Sequence, residues 1–215
     1  MKVSVSILKE KNNKEEVIDK LLNTSADYIH LDIMDSTFTN SSSFDLNDFK
    51  LVNKKYDIHI MSTDLDNQIN KAIKLNPEYI SFHYESTKEI DKYIDLIKKH
   101  NIKVGLAISP KTKLYKIKKY LDKIDLLLIL SVVPGLGGQT YIEKVTKKII
   151  KANKIKKNYL ISVDGGINND TINKIKEYVD IVVAGSYITD SEDYENKIMS
   201  LKNWHNFLFF VYTSW

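Results

Sequence analysis

Near-continuous apolar runs with strand character alternate with amphipathic helical stretches about eight times along the chain, in units of roughly 22–30 residues, and predict a single-domain α/β fold of the TIM (β/α)8 barrel type. Two further observations point the same way. Polar residues cluster near the C-terminal ends of the strand runs, as in His30-Leu31-Asp32-Ile33-Met34-Asp35. Glycines then gather after the sixth, seventh and eighth strands, in Pro134-Gly135-Leu136-Gly137-Gly138-Gln139, Asp164-Gly165-Gly166 and Ala184-Gly185-Ser186. A doubly wound open sheet is the alternative arrangement of the same elements.

The elements follow in order. Residues 3–7 read as a short strand, and 14–23 as a helix with Val17, Ile18, Leu21 and Leu22 at helical spacing. Residues 26–33 form a strand with neither face simply polar, as expected of a strand buried on both sides. Residues 45–54 read as a short helix and 57–61 as the third strand, whose Asp57-Ile58-His59-Ile60-Met61 repeats the device of a His and a Met on one face. Residues 64–75 carry Leu65, Ile69, Ala72 and Ile73 on one helical face, with Asp64 as the expected cap. Strand 79–82 precedes helix 89–100, marked by Ile90, Tyr93, Ile94 and Ile97. Strand 103–108 stops before Pro110, helix 114–121 follows, and 124–133 is a continuous apolar strand. Helix 141–152, strand 159–163, helix 171–178, strand 181–183 and helix 194–201 complete the alternation. The barrel is expected over residues 1–203. An apolar tail, 204–215, contains Phe207-Leu208-Phe209-Phe210-Val211-Tyr212 and would cap the barrel floor, join a subunit interface or be poorly ordered.

Composition narrows the partners. The chain has 215 residues, of which 43% are hydrophobic and 28% charged, as in a soluble globular domain. The net charge of +4 comes from lysines interleaved with Asp and Glu, which reads as a solvated surface and not as a nucleic-acid footprint. All 32 basic residues are Lys, so a phosphate site must use backbone N–H groups or lysine ammonium. Cysteine is absent, which removes disulfides, thiolate nucleophiles and Cys-based zinc sites. The apolar stretch 3–8 is too short and followed too soon by charge to be a signal peptide, and no run is long enough to span a bilayer. A cytoplasmic protein without membrane or nucleic-acid partners is expected.

His30, Asp32, His59 and Asp164 all fall at strand C-termini, so a barrel would aim them into its mouth. Two imidazoles and two carboxylates suit a divalent ion, Zn²⁺ first, with Fe²⁺, Mn²⁺ or Co²⁺ as alternatives. Four separately hydrogen-bonded polar residues are the reading without a metal. Two carboxylates on opposite walls, Asp32 and Asp164, can move a proton off a carbon beside a carbonyl and return one to the other face. The ion would polarise the carbonyl and stabilise the enediolate, with Met34 and Met61 as an apolar, polarizable lining. The glycine clusters would supply N–H donors to a phosphate. His83 fits a supporting or substrate-facing position, His100 lies at a helix end, and His205 has no functional argument.

These motifs resemble the ribulose-phosphate 3-epimerase family along nearly the whole chain. Val5-Ser6-Ile7-Leu8 is similar to its opening Pro-Ser-Ile-Leu, His30 to Asp35 to its His-x-Asp-x-Met-Asp, and Asp57 to Met61 to its Asp-x-His-Leu-Met. The three glycine motifs match its C-terminal half in order. The resemblance implies a barrel with one divalent metal held by His30, Asp32, His59 and Asp164, and Asp32 and Asp164 as the acid/base pair that inverts C3 of ribulose 5-phosphate to give xylulose 5-phosphate. It implies a phosphorylated ketose bound by Ser6, Met34, His59 and Met61, with Gly135, Leu136, Gly137, Gly138, Gly165, Gly166, Gly185 and Ser186, and a homo-oligomer. An epimerase of a related ketose such as allulose 6-phosphate, or a non-catalytic sugar-phosphate-binding barrel, would share much of this set. A phosphosugar lyase is disfavoured, because Asp32-Ile33-Met34 lacks the lysine that such a barrel needs. The chain departs from the family at Val5 (Pro), Ser36 (Gly), Leu136 (Phe) and Leu130 (Met), and its Phe38-Thr39-Asn40 is one residue short. These departures bear on rate and loop closure, not on reaction type.

Overall fold

The computed structural model describes residues 1–10 and 12–202. Within them, parallel strands β1 (Lys2–Ser6), β2 (Tyr28–Met34), β3 (Tyr56–Met61), β4 (Tyr79–His83), β5 (Lys103–Ile108), β6 (Leu126–Leu130), β7 (Leu160–Asp164) and β8 (Ile181–Ala184) close into a barrel in sequence order. The connecting helices are α1 (Lys14–Leu22), α2 (Leu65–Ile73), α3 (Ile90–Lys99), α4 (Lys144–Lys154), α5 (Asn169–Ile172), α6 (Ser186–Thr189) and α7 (Tyr194–Lys202). Pairing of β1 with β8, through Lys2 to Val5 on Ile181 to Ala184, is the closure that an open doubly wound sheet lacks.

Because strand side chains alternate in direction, each strand serves two cores. One set, including Val5, Leu31, Ile58, Ile80, Leu106, Ile129 and Val163, packs with the helix residues Leu21, Ile69, Ile97 and Ile149 in the large apolar cluster between barrel and helices. The other set fills the barrel. There Tyr28, Tyr79, Leu126 and Ile181, from alternate strands, make a separate apolar layer. Tyr28 and Tyr79 meet edge to face, with ring centroids 5.7 Å apart. Every residue of β2 is buried, as a strand covered on both faces requires.

Some local readings are corrected. Residues 45–54 give only a 3-10 turn at Leu46–Asp48, because the next buried apolar residue, Phe49, packs against Phe44 instead of extending a helical face. Residues 114–121 form two 3-10 turns, Leu114–Lys116 and Lys118–Tyr120, which also bury Ile117, Tyr120 and Leu121 on one side. The helix expected at 171–178 is the short α5, started earlier by Asn168. Its side-chain oxygen accepts from the N–H groups of Asp170 and Thr171, while Thr171 Oγ1 accepts from the Asn168 N–H. Strand β6 ends at Leu130, where Ser131 turns to donate its hydroxyl to the carbonyls of Asp164 and Gly165. Asp64 stands at the start of α2 without capping it, its carboxylate accepting instead from Asn67 Nδ2 at 3.1 Å.

Among the described residues no helix is long and apolar enough to cross a membrane. The apolar tail 204–215, with His205, lies outside the described residues.

Candidate active site

Strand register builds the centre of the site. Ser6 pairs with His30, Asp32 with His59, and Leu130 with Asp164. The barrel thereby brings His30, Asp32, His59 and Asp164 together, with one ligand atom from each lying within 4.8 Å of all the others. His30 and His59 are fully buried and Asp32 nearly so, whereas Asp164 opens partly to a cavity.

Hydrogen bonds aim the imidazoles. His30 Nδ1 donates to Asp57 Oδ2 at 2.8 Å, and Ser4 Oγ donates to the same oxygen at 3.0 Å. That leaves His30 Nε2 fully buried, without a protein hydrogen-bond partner and 3.4 Å from Asp32 Oδ1, where it carries a proton toward that carboxylate or, once deprotonated, offers a lone pair. On His59, Nδ1 lies 3.0 Å from Asp32 Oδ1 and 3.9 Å from Asp164 Oδ2. Its Nε2 lies 3.0 Å from His83 Nε2, and His83 Nδ1 lies 3.0 Å from Glu85 Oε2. Glu85 is ionised and can only accept, so His83 gives it the Nδ1 proton and accepts at Nε2. His59 must then donate from Nε2, which turns its Nδ1 lone pair toward the carboxylates. Two imidazole lone pairs converging on two carboxylates fit a divalent cation, and each is held by a carboxylate or a His–Glu relay of the kind that orients metal-ligating histidines.

Electrostatics separates the two carboxylates. For Asp32, burial pushes the pKa up, but the imidazoles of His30 and His59 outweigh it and hold the carboxyl well below its usual range. For Asp164, burial is reinforced by the charge of Asp32, and its pKa is pushed up to about 7. Burial lowers His30, but the carboxylates of Asp32 and Asp57 more than reverse this and raise it. Burial brings His83 down to about 4, which keeps it neutral as the relay requires. Glu85, where burial opposes the hydrogen bonds from His83 and Thr112, is held at about 2.

Above this centre lies a cavity of about 500 Å³. Ser6, Asp32, Met61, Leu130 and Asp164 line its floor, and Ser6 Oγ donates to Asp32 Oδ2 at 2.7 Å. The expected loop residues Gly135, Leu136, Gly137, Gly138, Gly165, Gly166, Gly185 and Ser186 all line its walls. At Gly165 and Gly166 the glycine is obligatory. Their φ values are +113° and +66°, and a Cβ would come within 2.5 Å of Val132 Cγ2 and the Tyr141 backbone nitrogen respectively. Met34 and His59 do not reach the cavity lining, so the apolar wall is Met61 and Leu130, and His59 faces the carboxylate cluster from beneath.

The loop after β2 forms a tight bend. Asp35 bridges to Ser42, Ser36 N–H donates to the Ser41 carbonyl at 3.1 Å, and Ser36 adopts φ 67°. Asp35 accepts from Thr37 Oγ1 and Ser62 Oγ, and the bend lays Phe38 over His83 with ring centroids 4.7 Å apart. Asp57, Ser4 and Glu85, which hold His30 and His83 by hydrogen bonding, are positions that sequence reasoning passed over. The two acids were signalled by spacing, since Asp57 stands two residues before His59 and Glu85 two after His83.

The model of the Ribulose-phosphate 3 epimerase family matches residues 2–189. The chain belongs to the ribulose-phosphate 3-epimerase family. It is 40% identical over 201 residues to the ribulose-phosphate 3-epimerase of Buchnera aphidicola subsp. Baizongia pistaciae, covering 88% of each chain. To that of Helicobacter pylori strain J99 it is 33% identical over 189 residues, covering 84% of this chain and 87% of the relative. With that of Bacillus subtilis strain 168 the identity is 31% over 187 residues, with 82% and 86% covered. Among solved structures, 3-hexulose-6-phosphate synthase from Salmonella typhimurium superposes with a TM-score of 0.65 at 16% identity, over 94% of this chain and 96% of that one. That likeness concerns the fold alone. His30, Asp32, His59 and Asp164 are all present as a group that could hold a metal ion.

Proposed function

We propose that the chain interconverts ribulose 5-phosphate and xylulose 5-phosphate by epimerisation at C3, using Asp32 and Asp164 as a two-base pair. The observation that carries this reading is the convergence of Asp32 from β2 and Asp164 from β7 with His30 and His59 at the floor of one cavity, their ligand atoms within 4.8 Å of one another; the opposite directions in which the two carboxyl pKa values move agree with it. In one direction ionised Asp32 takes the C3 proton and protonated Asp164 returns one to the opposite face, and the roles exchange in reverse. Ser6 fixes the carboxylate of Asp32 by its 2.7 Å hydrogen bond. Met61 and Leu130 exclude water from the planar intermediate, and the glycine-lined wall accepts the phosphate through backbone N–H groups. A divalent ion, when bound by His30, Asp32, His59 and Asp164, supplies polarisation of the C2 carbonyl and offsets the charge of the enediolate. Zn²⁺ is our first assignment, ahead of Fe²⁺, Mn²⁺ and Co²⁺, because two imidazole and two carboxylate donors suit its four-coordinate sites. The same reading includes a cytoplasmic setting and a homo-oligomer, the latter testable by sedimentation of the purified chain.

The curated relatives carry ribulose-phosphate in their names, which favours this substrate over allulose 6-phosphate. The deciding experiment is turnover in D₂O. Deuterium should enter C3 of the pentulose phosphate as the isomers interconvert. Absence of both exchange and interconversion, in protein supplied with each of the candidate ions, would falsify the proposal and favour a sugar-phosphate-binding barrel.

A further inference from the structure

The cavity is poor in positive charge for a site that takes a phosphate. Asp32, Glu143, Asp164 and Asp190 all line it, and among the described residues Lys9 is the sole basic residue of that lining. Arginine is absent from the whole chain, so no guanidinium can substitute. A phosphate dianion entering beside these carboxylates meets repulsion that neutral N–H groups offset only in part.

Lys9 is built into the site. It follows β1 in the same loop as Leu8, and its stem lies along the β6 loop: a Cβ at Gly137 would lie 3.4 Å from Lys9 Cγ. At Gly138 the corresponding positions are 3.0 Å from Lys9 Cε and 3.1 Å from Nζ. On its other side the ammonium is 3.4 Å from Asp190 Oδ2, just past the turn that begins at Gly185 and Ser186. The charged head therefore spans the glycine loops after β6 and β8. Its pairing with Asp190 is half-exposed on both sides, and exposed pairs of this kind are weak and readily exchanged for a better anion. The glycines at 137 and 138 leave the space that the lysine stem occupies.

We propose that Lys9 is a substrate-binding residue of this chain, whose ammonium leaves Asp190 to pair with the phosphate of the ketose held between the β6 and β8 loops. The proposal rests on the epimerase reading for its natural ligand, but inorganic phosphate probes it independently. Lys9→Met should raise both KM for ribulose 5-phosphate and the inhibition constant of inorganic phosphate by about 10- to 100-fold, the worth of one hydrogen bond to a charged group. Because the ammonium sits at the phosphate end, kcat should stay within about twofold, and Lys9→Arg should recover most of the loss. A Lys9→Met protein with unchanged KM and unchanged phosphate inhibition overturns the proposal while leaving the epimerase reading intact. If the wild type does not epimerise, calorimetric titration of both proteins with inorganic phosphate still decides it. Weaker binding by Lys9→Met supports the assignment, and equal binding, or none by the wild type, refutes it.

Discussion

Asp57 offers a direct test of how the barrel interior prepares the His30, Asp32, His59 and Asp164 cluster to hold a metal ion. Its Oδ2 accepts from His30 Nδ1 at 2.8 Å and from Ser4 Oγ at 3.0 Å, with all three residues essentially inaccessible to solvent. This bond selects the tautomer that leaves His30 Nε2 as a lone pair in the cluster. Asp57→Ala removes the acceptor, frees the ring to turn and withdraws the negative charge that raises the basicity of His30. A buried hydrogen bond to a charged group is worth about 1.5–3 kcal/mol, so the affinity for Zn²⁺ or Co²⁺ should fall about 10- to 100-fold. Asp57→Asn keeps an acceptor oxygen and nearly the same volume while losing the charge, and should cost less, about 3- to 10-fold. The assay is competition against a chromophoric chelator at fixed pH, with circular dichroism to verify folding, and Asp57→Asn serves if the alanine variant does not fold. A folded variant that binds the ion within twofold of wild type would refute the role assigned to Asp57.

Other consequences are equally concrete. Asp164→Asn should lower kcat by about 10²- to 10⁴-fold, the range for a positioned acid/base group, while keeping the fold; near-normal turnover would reassign the second base. Metal affinity should depend on pH with a definite sign. The Asp164 carboxyl, pushed up to about 7, and His30, raised by the carboxylates beside it, hold protons that an incoming ion must displace, so affinity should fall at least about tenfold per unit as pH drops below 7. Titration at pH 6 and 7, with the released protons counted, checks this, and a pH-independent affinity contradicts it. In the barrel interior, a Cβ at Gly105 would lie 1.9 Å from Ser81 Oγ and 2.8 Å from Ser81 Cβ. Gly105→Ala should destabilise by about 1–3 kcal/mol in denaturant melts. Ser81→Ala should relieve only the hydroxyl clash and Ser81→Gly most of the remainder; equal rescue by both would show that the backbone, not the side chain, yields.

The legible part of the site was the set of polar residues that a strand buried on both faces has no packing reason to carry. His30, Asp32, His59 and Asp164 announced themselves because an unpartnered polar group there costs too much to persist without a role. Asp57 sits in the same kind of strand, yet next to a stronger candidate its role as the acceptor for His30 was not visible. Met34 and Met61 read as equivalent, yet of these register partners Met61 lines the cavity and Met34 does not. The short helices expected at 45–54 and 114–121 failed for a local reason. A single i, i+3, i+4 apolar set is satisfied equally by a 3-10 turn, which closes a loop in fewer residues.

By itself the sequence determined the order of strands and helices, because periods of about two and 3.6 residues can be read one segment at a time. It also determined which residues could bear the chemistry, since donor type is a property of the side chain alone. Only the tertiary structure decided that Asp164 faces Asp32, 132 positions earlier in the chain, at 3.9 Å from His59. Barrel closure sets that juxtaposition, and with it the tautomers of His30, His59 and His83 and the separation of the two carboxyl pKa values. Those properties arise from distances and from the exclusion of water, neither of which exists until β8 has paired with β1.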